Sequence, residues 1–172
     1  MLSSFLAAVF TVLAFIGSCF GVKEYDLPPE THVFAAASGA WDWTSSDDTC
    51  VENPHTISFT PAHDYMILRY PLPIDTATGR REAVYRIVDT TRSSIRSDML
   101  GETRVVYDEL VTWDLVFTGA DSYRWRAAQS GAYSGTVVRC PDAPLPPAVP
   151  DDSAHLGLQG DEWFEPRLAP VN

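Results

Sequence analysis

Short stretches of alternating polar and apolar residues run along the middle of the chain, separated by turn residues. The clearest lies at residues 110–118, where every second side chain is large and apolar, from Val111 through Trp113 and Leu115 to Phe117. Alternate side chains of a strand face the same side of a sheet, so this period of two predicts a half-buried β-strand.

Comparable stretches occur throughout residues 39–141. The predicted strands are residues 39–44, 56–60, 65–72, 82–89, 93–99, 110–118, 122–128 and 136–140, with residues 105–107 beginning or ending a neighbour. No interval has the length and period of a crossover helix, which disfavours a parallel sheet. The spacing is typical of an antiparallel barrel or sandwich. Closure removes exposed edges, so we predict an all-β, eight-stranded antiparallel up-and-down barrel.

The segments on either side of the predicted barrel differ from it in composition. Residues 1–21 carry no charge and are almost wholly apolar between Phe5 and Ile16, which predicts a secretory or lipoprotein signal, or a retained anchor. Residues 22–38 are interpreted as a spacer or a first covering segment. Residues 142–172 follow a proline cluster, and proline lacks the donor that a strand ladder needs. We predict a proline-rich, acidic, irregular tail, with residues 161–164 docking weakly on the barrel.

The three cysteines divide between these regions. The residues before Cys19, Ile16-Gly-Ser, resemble the lipobox of bacterial lipoproteins, which implies that Cys19 is lipidated; alternatively it lies in a discarded signal. Either outcome leaves Cys50 and Cys140. Two cysteines left in an oxidising compartment are expected to form a disulfide, and unrelated buried thiols are the alternative. We therefore predict an exported protein of the periplasm or cell envelope, lipid-anchored through Cys19 or otherwise secreted.

The net charge of the chain limits the classes of molecule that it can bind. The formal net charge is −11, and the tail carries six carboxylates against one arginine. Nucleic acid is excluded as a partner, because phosphate binding requires a basic face. Contact with a membrane is expected only through the N-terminal signal or its lipid.

Five residues appear in a telling order along the predicted strands. Gly39 and Trp41 lie in the first strand, Asp121 and Tyr123 at a late turn, and Arg139 at the end of the last strand. The order resembles that of the lipocalin superfamily, a calycin-type barrel with a Gly-x-Trp, a Thr-Asp-Tyr turn and a late arginine. The resemblance implies structural roles for all five, with the tryptophan and arginine packed together at the closed end. A guanidinium on an indole face gains about 1 kcal/mol.

The polar residues form no recognised catalytic or metal-binding pattern. No histidine pair has zinc-finger or zincin spacing, and no Gly-x-Ser-x-Gly elbow or P-loop occurs. His55, which we place in a loop, and His63, which we place in a turn, are the two candidates for a haem or metal contact. Asp114 is either an outward-facing strand charge or a buried acid. We expect no enzymatic activity, no cofactor and no metal.

The alternation also predicts an aromatic lumen. The expected ligand-lining residues are Trp43, Phe59, Leu68, Tyr70, Tyr85, Trp113, Phe117 and Trp125. An eight-stranded barrel can hold one small ligand or be filled by its own side chains.

Three functions remain open. The first is a lipocalin-like binder of a small hydrophobic or amphipathic molecule. The second is a protein-interaction module, because residues 129–133 are similar to the Ser-Gly-containing loop of lysozyme-inhibitor-type envelope barrels. An acidic protein would also attract a basic partner. The third is a haem or metal carrier.

Overall fold

The computed structural model describes residues 21–45, 49–51 and 54–143. The predicted signal, Cys19 and the predicted tail beyond residue 143 lie outside the described residues. The described chain forms one short helix, α1 (Val33–Ala37), and the strands β1 (Gly39–Trp43), β2 (His55–Phe59), β3 (Tyr65–Arg69), β4 (Glu82–Thr90), β5 (Ser94–Met99), β6 (Val105–Val106), β7 (Glu109–Leu110), β8 (Thr112–Gly119), β9 (Ser122–Ala127) and β10 (Val137–Arg139).

Eight of these strands close into a barrel in the order β1-β10-β9-β8-β5-β4-β3-β2, and every neighbouring pair is antiparallel. The predicted all-β, eight-stranded barrel is therefore confirmed. One feature differs from the expected meander. Strands β6 and β7 leave the barrel and form a separate two-stranded hairpin between β5 and β8.

Several predicted strand boundaries differ from the structure, and two of the differences have identifiable reasons. The third strand ends at Arg69 rather than at residue 72, because Pro71 and Pro73 remove two successive ladder donors. The second strand begins at His55, which the sequence placed in a loop. His55 pairs with Trp41 across β1 and β2, so tertiary pairing extends the strand back to the proline.

The connectivity gives the barrel two different ends. The short turns β2–β3, β4–β5 and β8–β9 lie at one end, together with α1; we call this the closed end. The connections β1–β2, β3–β4, β5–β8 and β9–β10 lie at the other, the open end. At the closed end, the Trp41 indole Nε1 donates to the Ala37 carbonyl at 2.8 Å, and Phe34 packs on Phe59.

Helix α1 is short because both of its ends are stopped by side chains. At its N-terminus, the His32 Nδ1 accepts from the Phe34 amide at 3.4 Å. At its C-terminus, the hydroxyl of Ser38 donates to the Phe34 carbonyl at 2.8 Å. Val33, Ala36 and Ala37 are buried on the face that meets the barrel. Small and branched apolar residues let this single turn seat closely against the strands.

The residues before α1 also contact the barrel. The Tyr25 amide donates to the Phe117 carbonyl at 2.8 Å, and the Leu27 amide donates to the Arg92 carbonyl at 3.0 Å. The Arg92 guanidinium returns a bond to the Leu27 carbonyl. Leu27 is buried within the same core as the barrel interior. Residues 22–38, interpreted as a spacer or covering segment, thus pack against the barrel.

A disulfide joins Cys50 to Cys140, with Cα atoms 5.5 Å apart. This bond was expected from the cysteine count and is confirmed. The β1–β2 connection leaves the open end and folds back beside β1 and β10, so this bond fastens it to the end of β10, next to Arg139. The Asp42 carboxylate holds the same connection by accepting the Cys50 amide at 2.7 Å.

Candidate functional site

The closed end is organised around Arg139. Its guanidinium carbon lies 4.2 Å from the Trp41 ring centroid, so the expected stacking of the two side chains is present. Its nitrogens donate to the carbonyls of Ser38 and Ala36 and to the Asp121 carboxylate. One side chain therefore joins the end of α1, the first strand and the β8–β9 turn. This is structural work, as the sequence predicted.

Gly39 makes room for that guanidinium. A Cβ at this position would lie 2.8 Å from the Nη1 of Arg139, and the φ of Gly39 is +133°, a region that side-chain-bearing residues rarely adopt. The close neighbour of Gly39 is therefore the arginine that holds the covering segment.

An aromatic column fills the barrel axis. Tyr123 packs edge-on against Trp41 at 4.9 Å and against Trp125 at 5.9 Å, and Trp125 stacks on Tyr85 at 5.3 Å. Trp41, Tyr123, Leu68 and Phe117 have no accessible surface. A side chain with no accessible surface borders no space large enough for a water molecule. The lower part of the lumen is therefore solid.

The upper part of the lumen is different. Four inward-facing residues at the open end remain partly exposed although they pack on the core: Trp43, Tyr70, Met99 and Trp113. Tyr85 and Trp125, which are almost fully buried, lie beneath them. We call these six residues the open-end cup.

The predicted ligand-lining residues thus separate into two groups. Trp43, Tyr70, Tyr85, Trp113 and Trp125 belong to the open-end cup. Leu68 and Phe117 are sealed inside the solid part, while Phe59 packs at the closed end between Phe34 and the His63 ring. Strand parity found the inward face correctly. It carries no information on depth along the barrel axis, which depends on the register between strands.

His55 lies inside the barrel rather than at its mouth. Its Nε2 is 2.7 Å from the Tyr123 hydroxyl, and its ring stacks on Tyr70 at 5.2 Å. Burial, opposed by the attraction of Asp42, lowers the pKa of His55 to about 4. The imidazole is therefore neutral at physiological pH. Within the described residues, no group of three or more histidine, cysteine or carboxylate side chains is arranged to hold a metal ion.

A polar cluster braces the rim of the open end. The Glu102 carboxylate accepts from the Arg104 side chain and amide and from the Trp113 indole Nε1. Burial alone would raise the pKa of Glu102, but these bonds outweigh it and lower the pKa to about 2. The Arg104 guanidinium also lies over the Trp113 ring, 4.6 Å from its centroid. Because Glu102 and Arg104 lie in a connection and Trp113 lies in a strand, alternation along the chain could not reveal these contacts.

The β6–β7 hairpin projects from this brace. Val105, Leu110 and Tyr107 are exposed, Tyr107 by 79%. Tyr107 and Asp108 both have positive φ, 54° and 66°, as a two-residue turn of this hand requires. Two successive non-glycine residues in that region are strained. The sequence predicts that residues 105–107 begin or end a neighbouring strand; in the structure Val105 and Val106 form the first strand of this separate hairpin.

Asp114 is outward-facing and yet buried. Its carboxylate is clamped by Arg96 at 2.8 Å and by Arg126 at 2.8 Å, leaving the side chain 1% exposed. Burial would raise the pKa of Asp114, but the two arginines hold it below its usual range. Arg126 also binds Glu24, so the cluster fastens the N-terminal segment to the outer wall. The Asp114 carboxylate therefore has a structural role, binding Arg96 and Arg126 to the outer wall.

No family model, curated protein or solved structure matches this chain. The barrel geometry is consistent with a lipocalin-like fold. In the described part of the chain, no helix is long and apolar enough to cross a bilayer.

Proposed function

We propose that this protein is an exported, non-enzymatic binding protein that holds an amphipathic molecule with an anionic head at the open-end cup. The observation that carries the proposal is the contrast along the lumen. Trp41, Phe117 and Tyr123 have no accessible surface, whereas Trp43, Tyr70 and Trp113 remain partly exposed at the mouth. Phe59, which is also partly exposed, lies at the closed end against the rings of Phe34 and His63. Apolar surface left accessible in a concave, preformed site is typical of ligand-binding sites.

The charge at the rim favours an anionic head over a neutral one. Arg104 lies over Trp113, but its Nε and Nη2 already donate to the Glu102 carboxylate, so its charge is neutralised. Arg80 and Arg81 in the β3–β4 connection add two exposed cations at the same end. Arg80 acts electrostatically on Tyr85 of the cup. A ligand whose apolar part stacks on the cup would therefore present its head to the guanidinium groups of Arg80 and Arg81, which bind carboxylates through paired hydrogen bonds.

Calorimetry with two ligands of equal chain length tests the proposal. We expect dodecanoate to bind saturably below its micellar concentration, and dodecanol to bind at least about fivefold more weakly because it lacks the charge. Trp113→Ala should weaken dodecanoate at least about tenfold, the loss of roughly 1.4 kcal/mol of stacking and apolar contact. Val88→Ser, an exposed apolar position on the outer wall, is the matched control. Equal binding by Trp113→Ala and the parent protein contradicts the proposal.

Export is part of the proposal and is supported by the Cys50–Cys140 disulfide, which is consistent with an oxidising compartment. Labelling the host with a lipid precursor separates the two forms of export. Incorporation that is lost in Cys19→Ser indicates a lipid anchor, whereas secretion without incorporation indicates a cleaved signal. Protein found reduced in the cytoplasm argues against both.

The β6–β7 hairpin favours a second candidate function, a protein-interaction module. The hairpin presents apolar Val105, Tyr107 and Leu110 beside the carboxylates of Asp108 and Glu109. An aromatic tip flanked by acids suits an apolar cleft in a basic protein. Hen lysozyme is a suitable first probe. Inhibition of lysozyme that Tyr107→Ser abolishes and Val88→Ser leaves intact would support this function over the first. An absence of inhibition would exclude lysozyme as the partner.

A further inference from the structure

We propose that the acidic aromatic segment at residues 161–165 docks on the β3–β4 connection at the open end of its own barrel. This goes beyond the proposed ligand binding and does not depend on it. The segment reads Asp-Glu-Trp-Phe-Glu, so Trp163 and Phe164 stand between three carboxylates. It lies outside the described residues, and the docking surface on the barrel is described.

The β3–β4 connection is an ordered loop that displays apolar side chains. Leu72 is 56% exposed and Ile74 is 40% exposed. The backbone beneath them is fixed, since the Ile74 amide donates to the Arg80 carbonyl at 2.8 Å. The Asp75 carboxylate accepts from the Thr78 hydroxyl at 2.7 Å and from the Ala77 amide at 2.9 Å. A preordered loop loses little conformational entropy when a partner covers it.

The charge of this loop complements that of the tail segment. Arg80 and Arg81 are exposed, and neither forms an ion pair among the described residues. The only carboxylate of the loop, Asp75, is already engaged by the turn. The neighbouring hairpin carries Asp108 and Glu109 and would repel the segment. Charge therefore selects the β3–β4 connection from the apolar surfaces of the open end.

The tether is long enough for the segment to reach that end. The disulfide holds Cys140 where β10 finishes, near the closed end. An eight-residue strand such as β8 spans roughly 25 Å, whereas residues 144–160 can extend over about 55 Å. Because the tether keeps the segment close, its effective concentration at the loop is on the order of millimolar, and a weak contact is enough for occupancy.

Amide hydrogen exchange of the full-length oxidised protein, measured without added ligand, tests the contact. We expect the double variant Trp163→Ser/Phe164→Ser to speed exchange across residues 72–80 by at least about fivefold, as water regains the loop. The matched control is Leu156→Ser/Leu158→Ser, which removes two apolar side chains from the same tail and should leave the loop unchanged. Unchanged exchange in the aromatic variant overturns the proposal.

The charge contribution is tested from the other side of the contact. In protein labelled with 5-fluorotryptophan, the Trp163 signal is assigned by its loss in Trp163→Phe. Arg81→Glu should move that signal toward its position in the denatured protein, and Arg124→Glu, on the barrel wall, should not. If Arg81→Glu leaves the chemical shift of the Trp163 signal unchanged, the segment does not dock at this loop. A signal that changes on tenfold dilution instead indicates docking on a second copy, which overturns the intrachain arrangement.

Discussion

Arg139 shows how one side chain can take several structural roles at once. It stacks on Trp41, closes the end of α1 through the Ala36 and Ser38 carbonyls, and binds Asp121. Each partner lies on a different element, so the arginine orders the whole closed end. Position 39 must be glycine, because a Cβ there would collide with the Arg139 guanidinium.

We expect Gly39→Ala to lower the free energy of unfolding by about 3 kcal/mol. Part of this loss comes from a backbone conformation that residues other than glycine adopt at a cost of roughly 1–3 kcal/mol, and the rest from displacing the guanidinium from its hydrogen bonds. Gly131→Ala is the control, because its φ is +68° but no atom lies within 4 Å of the added Cβ. It should cost only about 1 kcal/mol. Equal losses in urea denaturation would mean that contact with Arg139 contributes nothing.

His55 predicts a pH dependence of stability. Its pKa is about 4 in the folded protein and about 6.5 when unfolded. Above pH 6.5 both states are neutral at this residue. Between pH 6.5 and 4 the unfolded chain binds a proton that the folded protein refuses, so stability falls by up to about 3 kcal/mol.

Comparison with His55→Gln isolates this contribution from that of the carboxylates. The variant should be less stable at pH 7.5, since it disturbs the hydrogen bond to Tyr123. Its loss of stability between pH 6.5 and 4 should be smaller than that of the parent protein. Parallel curves of unfolding free energy against pH would show that His55 is not kept neutral by the fold.

At the scale of elements, the β6–β7 hairpin depends on its base for its orientation. Only two residue pairs join β6 to β7, and so short a hairpin is not stable by itself. The Glu102 carboxylate supplies what the ladder lacks, because it binds Arg104 and Trp113 together and is only 5% exposed. The exposed tip with Tyr107 is therefore held by a buried charge at the rim.

Glu102→Gln should loosen the hairpin without unfolding the barrel. The amide side chain loses the charge-assisted bonds from Arg104, each worth about 1.5–3 kcal/mol. We expect faster exchange at the Val111 amide, which binds the Arg104 carbonyl, while strand β3 stays protected. Glu109→Gln, at an exposed position of the same hairpin, is the control. Equal exchange in both variants would assign the order of the hairpin to its backbone alone.

At the scale of the whole molecule, the barrel is closed twice. Strand pairing of β1 with β10 closes the sheet, and the Cys50–Cys140 bond closes the chain over a separation of 90 residues. The ladder between β10 and β9 is short, with two paired positions. The covalent link therefore holds the barrel strand that has the fewest paired residues.

The double variant Cys50→Ser/Cys140→Ser should lose up to about 4–5 kcal/mol of unfolding free energy. A crosslink over a long loop lowers the entropy of the unfolded chain by roughly that amount in the chain-entropy model. Denaturant midpoints of the parent protein, measured with the disulfide intact and after reduction, give the contribution of the disulfide to stability independently. A loss below about 1 kcal/mol in both would mean that strand pairing suffices to close the barrel.

The sequence by itself determined the features that depend on local pattern or on counting. Strand parity predicted the barrel strands, because a strand alternates with a period of two whatever it pairs with. The cysteine count predicted the Cys50–Cys140 disulfide, because two cysteines remain beyond the signal. The packing of Trp41 with Arg139 was implied by the resemblance to lipocalins and is present. The argument from strand parity failed at His55, where pairing with Trp41 made a strand of a segment that reads as a loop.

Only the tertiary structure decided how deep each inward side chain lies and what covers each outward one. Phe117 and Trp113 have the same parity in one strand, yet one is sealed and the other lies at the mouth. Asp114 has the parity of a surface charge, yet Arg96 and Arg126 bury it. Depth and cover arise from register and from contacts between distant elements, and neither leaves a period in the sequence.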